Sequence, residues 1–73
     1  MNFEKALKEL KSGKKIIRVG WSGAENYVRL IRESTLDGKT LTPYFVIHVD
    51  GEGYTMFQPT VCDLLAEDWK LVD

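Results

Sequence analysis

The first dozen residues of the chain carry apolar side chains at helical spacing. These side chains recur at positions i, i+3, i+4 and i+7: Phe3, Ala6, Leu7 and Leu10. Such a stripe lies along one face of an α-helix. Asn2 is a suitable N-cap and Gly13 a suitable left-handed C-cap, so the pattern predicts an amphipathic helix over residues 3–12. A helix this short is not stable alone, and we expect its stripe to pack on a sheet.

The next two stretches predict antiparallel strands joined by a turn that carries a tryptophan. Residues 15–19 are rich in β-branched side chains, which favour strands. Residues 26–32 alternate, with one face apolar and the other bearing Tyr27 and Arg29. Between them lies Gly20-Trp21-Ser22-Gly23. Glycine on both sides of the tryptophan permits backbone conformations and close approaches that a Cβ would block.

The middle of the chain predicts two further strands. Residues 44–49 alternate clearly, and the glycine-containing turn at 50–53 leads into a strand over residues 54–57. Residues 33–42 are less determined. Asp37-Gly38 favours a small hairpin there, and a loop is nearly as compatible with the sequence.

The last part of the chain predicts a helical turn followed by a terminal strand. Pro59 ends the preceding strand, and Thr60 followed by Asp63 resembles a capping box. Residues 69–72 then form a short strand. The predicted fold class is α+β: an N-terminal amphipathic helix packed on an antiparallel sheet of about four to six strands, with a short helical turn before the last strand. We expect residues 1–73 to form a single domain.

Composition narrows the possible functions. The chain has 73 residues, a formal net charge of −1, one cysteine and one histidine. A net charge near zero argues against a general duplex DNA binder. The lone cysteine excludes an internal disulfide, and one histidine with one cysteine argues against a structural zinc site. No stretch reaches transmembrane length and no signal peptide is recognisable, so we expect a cytoplasmic protein without membrane contact. So small a core usually needs further support, which favours self-association.

Catalysis has little support in the sequence. His48 has no nucleophile or carboxylate at an informative spacing, and Cys62 is interpreted as a small buried residue. No phosphate-binding loop or dinucleotide pattern is present, so we expect no cofactor, no bound metal and no catalytic residue. Of the acidic residues near the C-terminus, Asp63 is expected to cap a helix, while Glu67 and Asp68 are expected to face water.

Binding is better supported. Aromatic rings beside arginines and hydroxyl groups suit a nucleotide, because rings stack on bases, guanidinium groups hold phosphates and hydroxyl groups orient ribose. The sequence leaves open whether Trp21 and Phe57 are exposed or belong to the core. It also leaves open whether Arg18 and Arg29 hold a ligand or only face water. The candidate ligand-binding residues are Arg18, Trp21, Ser22, Tyr27, Arg29, Tyr44, Phe57, Gln58 and Thr60.

Three segments carry a distinctive combination of residues. Asn2-Phe3-Glu4-Lys5-Ala6-Leu7 opens the chain, Arg18-x-Gly20-Trp21 follows, and Asp63-Leu64-Leu65-Ala66-Glu67-Asp68-Trp69 lies near its end. Over residues 1–23 and 57–73 the chain resembles the Thoeris anti-defence 2-like domain, which occurs in small proteins of phages and prophages.

The resemblance implies a homo-oligomer, tetrameric or dimeric, with ligand pockets at subunit contacts. It implies a sponge that binds a cyclic nucleotide immune signal, such as a glycocyclic ADP-ribose, and sequesters it without cleavage in the host cytoplasm. The family's Gly-Trp aromatic corresponds to Trp21, and its aromatic-x-Pro-Ser/Thr segment corresponds to Phe57, Pro59 and Thr60. Ser22 stands where the family usually has asparagine.

Two other functions remain as alternatives. One is an inhibitor that binds a host defence enzyme through exposed aromatic side chains and an edge strand. The other is a small hydrolase of the same signal, which has the least support because no nucleophile and base are recognisable together.

Overall fold

The computed structural model describes residues 1–72. Its elements in chain order are α1 (Phe3–Lys11), β1 (Lys15–Arg18), β2 (Glu25–Ile31), β3 (Thr35–Leu36), β4 (Lys39–Thr40), β5 (Tyr44–Val49), β6 (Gly53–Phe57), α2 (Val61–Leu65) and β7 (Trp69–Val72). The predicted α+β class is confirmed, with an N-terminal helix, an antiparallel sheet and a short helix before the last strand. Within residues 1–72, neither helix has the length or the apolar composition needed to cross a bilayer.

Helix α1 begins and ends where the sequence predicts, to within one residue. The side-chain oxygen of Asn2 accepts a hydrogen bond of 2.9 Å from the backbone N–H of Lys5, which satisfies a free donor of the first turn. The chain leaves the helix at Gly13, whose φ of +90° is a conformation that glycine adopts without strain.

The sheet has five strands in the order β6-β5-β2-β1-β7, and every neighbouring pair is antiparallel. The terminal strand β7 pairs with β1 over its whole length, from Lys15 opposite Val72 to Arg18 opposite Trp69. Strand β7 also contacts the first residue of the chain. The backbone N–H of Trp69 donates to the carbonyl of Met1 at 3.1 Å, which fixes β7 beside the start of α1.

The segment between β2 and β5 forms the small hairpin that was one of two predicted alternatives. Strands β3 and β4 pair through Thr35–Thr40 and Leu36–Lys39 in a separate two-stranded sheet. Asp37 and Gly38 both have positive φ values, +53° and +76°, as the two central residues of a type I′ turn require.

The core lies between α1 and one face of the five-stranded sheet. Its buried residues are Ala6, Leu10, Ile16, Val28 and Trp69. Within residues 1–72 no helix packs on the opposite face, which we call the open face. Strand register places the following side chains on the open face: Lys15, Ile17, Tyr27, Arg29, Ile31, Tyr44, Val46, His48, Tyr54, Met56, Lys70 and Val72.

Candidate functional site

The sheet separates most of the predicted ligand-binding residues into two groups. Tyr27, Arg29 and Tyr44 lie on the open face, whereas Trp21 and Phe57 pack against the core on the α1 side. Because the sheet lies between the two groups, a single ligand inside one chain cannot contact residues of both. The two groups meet only at the end of β6, where the sheet stops.

Trp21 is partly buried rather than fully exposed or fully enclosed. Its ring meets Trp69 edge to face at 5.4 Å between ring centroids, and it meets Phe57 in the same way at 5.9 Å. These contacts attach the turn to the core, because Trp69 is itself a core residue. The exposed part of the Trp21 ring remains available to a ligand at the edge of this aromatic cluster.

Glycine before Trp21 lets a carboxylate lie directly against the backbone. The N–H of Gly20 donates a hydrogen bond of 2.8 Å to Oδ2 of Asp68. A Cβ on Gly20 would lie 2.8 Å from that same oxygen, closer than van der Waals contact allows. The close approach, and not a left-handed backbone conformation, therefore explains this glycine.

Arg18 is held between two carboxylates. Its Nε lies 2.9 Å from Oδ1 of Asp68, and its Nη1 lies 2.9 Å from Oδ1 of Asp63. The hydrogen bonds to Asp68 and then Asp63 raise the pKa of Arg18. Because its charge is already neutralised, Arg18 is a poor donor for a phosphate. The two ion pairs also mean that it is not a side chain that only faces water.

Asp68 makes contacts that the sequence did not predict. It was expected to face water, and it accepts hydrogen bonds from both Arg18 and Gly20. The Arg18 guanidinium, followed by the Gly20 N–H, lowers the pKa of Asp68. No local pattern could have revealed this contact, since Arg18 and Asp68 are fifty residues apart.

The predicted capping box at the start of α2 is confirmed. Oγ1 of Thr60 accepts from the N–H of Asp63 at 3.2 Å, and Oδ2 of Asp63 accepts from the N–H of Thr60 at 2.9 Å. Asp63 is buried, and its carbonyl accepts from Nε1 of Trp69 at 2.9 Å. Burial acts to raise the pKa of Asp63, but the hydrogen bonds from Thr60 and Arg18 outweigh it and lower the pKa.

A cavity of about 430 Å³ lies where the two groups of predicted residues meet, at the end of β6. Its lining residues are Tyr44, Phe45, Met56, Phe57, Gln58 and Pro59. Its volume falls within the range of about 300–1,000 Å³ usual for small-ligand sites. The structure thus brings together Tyr44, Phe57 and Gln58. Ser22 and Thr60 are exposed and do not line this cavity.

The open face carries an aromatic cluster of Tyr27, His48 and Tyr54. The rings of Tyr27 and His48 stack with centroids 5.2 Å apart and planes within 8°. The hydroxyl groups of Tyr27 and Tyr54 share a hydrogen bond of 2.5 Å, which raises the pKa of Tyr27. Nδ1 of His48 forms a hydrogen bond of 2.8 Å with Oδ1 of Asn26. Sequence alternation identified Tyr27 alone, although His48 and Tyr54 share its face by the same rule.

Cys62 is exposed, so its interpretation as a buried residue was wrong. Within residues 1–72, no group of three or more His, Cys, Asp or Glu side chains is arranged to hold a metal ion.

Comparison with known proteins identifies the family of the chain. A family model, described as the Thoeris anti-defense 2-like domain, matches residues 1–72. The match therefore includes the central strands as well as the two end segments, residues 1–23 and 57–72, that carry the resemblance. A search among curated proteins found no match to the chain. The chain belongs to the Thoeris anti-defense 2-like family, and this membership supports a Thoeris anti-defence role.

Proposed function

We propose that this protein is a sponge that binds a cyclic nucleotide immune signal and sequesters it without cleavage. The ligand class is a glycocyclic ADP-ribose or a related cyclic nucleotide, held in the host cytoplasm. Family membership supports the anti-defence role, and the cavity at the end of β6 supports a small-molecule ligand rather than a macromolecule.

That cavity is the observation that carries the proposal. The rings of Tyr44 and Phe57 provide surfaces on which a base can stack, and the Gln58 amide can donate and accept hydrogen bonds. These groups bind rather than attack. Sequestration without chemistry is therefore the activity that the lining of the cavity favours.

Self-association belongs to the same proposal. Three apolar side chains of α2 are exposed: Val61 at 70%, Leu64 at 48% and Leu65 at 77% of their surface. So many exposed apolar side chains on one short helix are typical of a contact surface. A dimer or tetramer that buries them would also enclose more of a ligand than an 8.4 kDa chain can enclose alone.

Calorimetric titration with glycocyclic ADP-ribose, followed by chromatography of the heated complex, tests the proposal. A sponge must act on a scarce signal, so we expect a dissociation constant between about 1 and 50 nM, or about −10 to −12 kcal/mol. The released ligand should be intact. Replacement of Tyr44 by alanine should weaken binding about five- to 150-fold through lost stacking, whereas Leu41→Ala, outside this cavity, should not. Released cleavage products, or no binding by the unaltered protein, would contradict the proposal.

The alternative is an inhibitor that docks on a host defence enzyme. The exposed apolar side chains of α2 favour this function too, because a foreign partner could bury them. Affinity capture from host lysate distinguishes the two. Capture of a defence enzyme, with no nucleotide bound by the purified protein, would replace the sponge by the inhibitor.

A further inference from the structure

Two basic residues occupy opposite positions on neighbouring strands near the centre of the open face. Ile16 of β1 pairs with Val28 of β2, and this register places Lys15 beside Arg29 on the neighbouring strand. Within residues 1–72 neither of them forms an ion pair, whereas Lys14 and Arg18 do. Like charges at adjacent positions of a sheet repel one another and destabilise it. The arrangement calls for an anion that offsets this repulsion.

The rest of the open face agrees with an anionic occupant. Among residues 1–72, its strand positions include a third cation, Lys70, and no Asp or Glu. A second copy of the same face would bring these cations against their counterparts. An anion with an aromatic or apolar body would instead contact both the cations and the neighbouring rings, and Nζ of Lys15 already lies 4.7 Å from the centre of the Tyr27 ring.

The cations are within reach of the cavity at the end of β6. Met56 lines that cavity and pairs with Val46, which in turn pairs with Arg29. Neighbouring strands are about 4.8 Å apart, so the backbone of Arg29 lies about 10 Å from that of Met56. This separation is comparable to that between the base and the phosphates of a nucleoside diphosphate.

We propose that Lys15 and Arg29 bind the phosphate groups of a small nucleotide whose base occupies the cavity beside Tyr44. The proposal rests on the proposed function for the class of ligand, and it adds a phosphate site on the open face. It also assigns phosphate binding to Arg29 rather than to Arg18, whose guanidinium is occupied by Asp63 and Asp68. Guanidinium and ammonium groups together suit a diphosphate, since one binds in a bidentate manner and the other as a point charge.

The test compares Lys15→Gln and Arg29→Gln with two matched controls, Lys39→Gln and Arg32→Gln, which remove the same charges from exposed positions outside the open face. Glycocyclic ADP-ribose is titrated calorimetrically into each variant. Loss of a charged hydrogen bond should weaken binding about tenfold or more for the first pair and little for the controls. Without ligand, Arg29→Gln should melt no lower than the unaltered protein, because it relieves the repulsion. Lys15→Gln also loses the contact of Nζ with the Tyr27 ring, so the melting temperature is compared for Arg29→Gln. A merely structural role predicts a lower melting temperature instead.

The outcomes separate this inference from the proposed function. If the unaltered protein binds glycocyclic ADP-ribose and both variants bind it equally well, the phosphate site is wrong and the sponge stands. If no cyclic nucleotide binds, titration with inorganic pyrophosphate decides: stabilisation of the unaltered protein but not of Arg29→Gln supports the anion site, and equal responses overturn it. Tighter binding of an oligothymidylate than of any small nucleotide would overturn the assignment to a small ligand.

Discussion

Oδ1 of Asp68 lies 2.9 Å from Nε of Arg18, and this pair joins the end of β1 to the start of β7. The other oxygen of the same carboxylate holds the N–H of Gly20, which orders the turn that carries Trp21. One side chain thus connects the sheet to the aromatic turn. Its contribution is to position the candidate site rather than to contact a ligand.

Replacement of Asp68 by asparagine should loosen the turn. Arg18 and Gly20 bond different oxygens of the carboxylate, and an amide of the same size presents an NH2 donor in place of one of them, so it cannot keep both contacts in this geometry. We expect a lower melting temperature and faster hydrogen exchange at the Gly20 amide, measured by circular dichroism and NMR. Glu67→Gln removes the same charge from an exposed neighbour and should change neither. Unaltered exchange at Gly20 in Asp68→Asn would show that the carboxylate does not hold the turn.

Replacement of Asp63 by alanine should reduce stability rather than affinity. Loss of the capping interactions alone costs about 0.5–2 kcal/mol, and Arg18 also loses one of its two partners. The comparison is Thr60→Ser, which keeps a hydroxyl at the cap and should melt close to the unaltered protein. Ligand affinity, measured where Asp63→Ala is still folded, should be retained. A normal melting temperature with lost binding would move Asp63 from the scaffold to the site.

Replacement of Trp21 by alanine should affect both stability and binding. Truncating a fully buried aromatic side chain typically lowers the free energy of unfolding by about 3–5 kcal/mol. The Trp21 ring is only partly buried, so we expect a smaller loss. If its exposed part stacks on the ligand, affinity should fall about five- to 150-fold. Trp21→Phe keeps an aromatic ring in the cluster and should recover most of the stability. A folded Trp21→Ala variant with full affinity would exclude Trp21 from the site.

Stability should fall in acid through Asp63 and Asp68. Both carboxyl groups have a pKa below the ordinary value of an aspartate, so their stabilising effect is complete above the unfolded pKa. It is lost as the pH falls below about 4, through the lower pKa of the folded state. Melting temperatures between pH 6 and pH 2.5 measure the effect. The Asp63→Asn/Asp68→Asn double variant should depend less on pH, and an equally steep loss would assign the acid sensitivity to other groups.

Self-association should be visible by light scattering at micromolar concentration. We expect the mass of a dimer or tetramer, because the apolar side chains of α2 are exposed in the single chain. Leu65→Glu places a charge in this surface and should shift the mass towards the monomer, whereas Lys70→Glu in β7, away from α2, should not. A mass of 8.4 kDa for the unaltered protein would contradict a ligand pocket shared between subunits.

Most of the fold can be predicted from the sequence. Helix α1 and the capping box of α2 rest on interactions between residues close in the chain. The strands pair with distant segments, but the alternation of side chains that predicts each strand is local. The alternation of β2 also separated the Tyr27 side of that strand from the Val28 side correctly. Even the Asp37-Gly38 hairpin depends on backbone preferences of two adjacent residues, although the sequence alone could not exclude a loop there.

The residues that form the candidate site can be recognised only from the packing of the folded chain. Arg18 and Asp68 looked available to a ligand or to water, and pairing of β1 with β7 brought them into contact across fifty residues. The side of the sheet that α1 covers, and the cavity left at the end of β6, follow from how whole elements pack. Such contacts depend on distances between segments far apart in the chain, and no local spacing of residues encodes them.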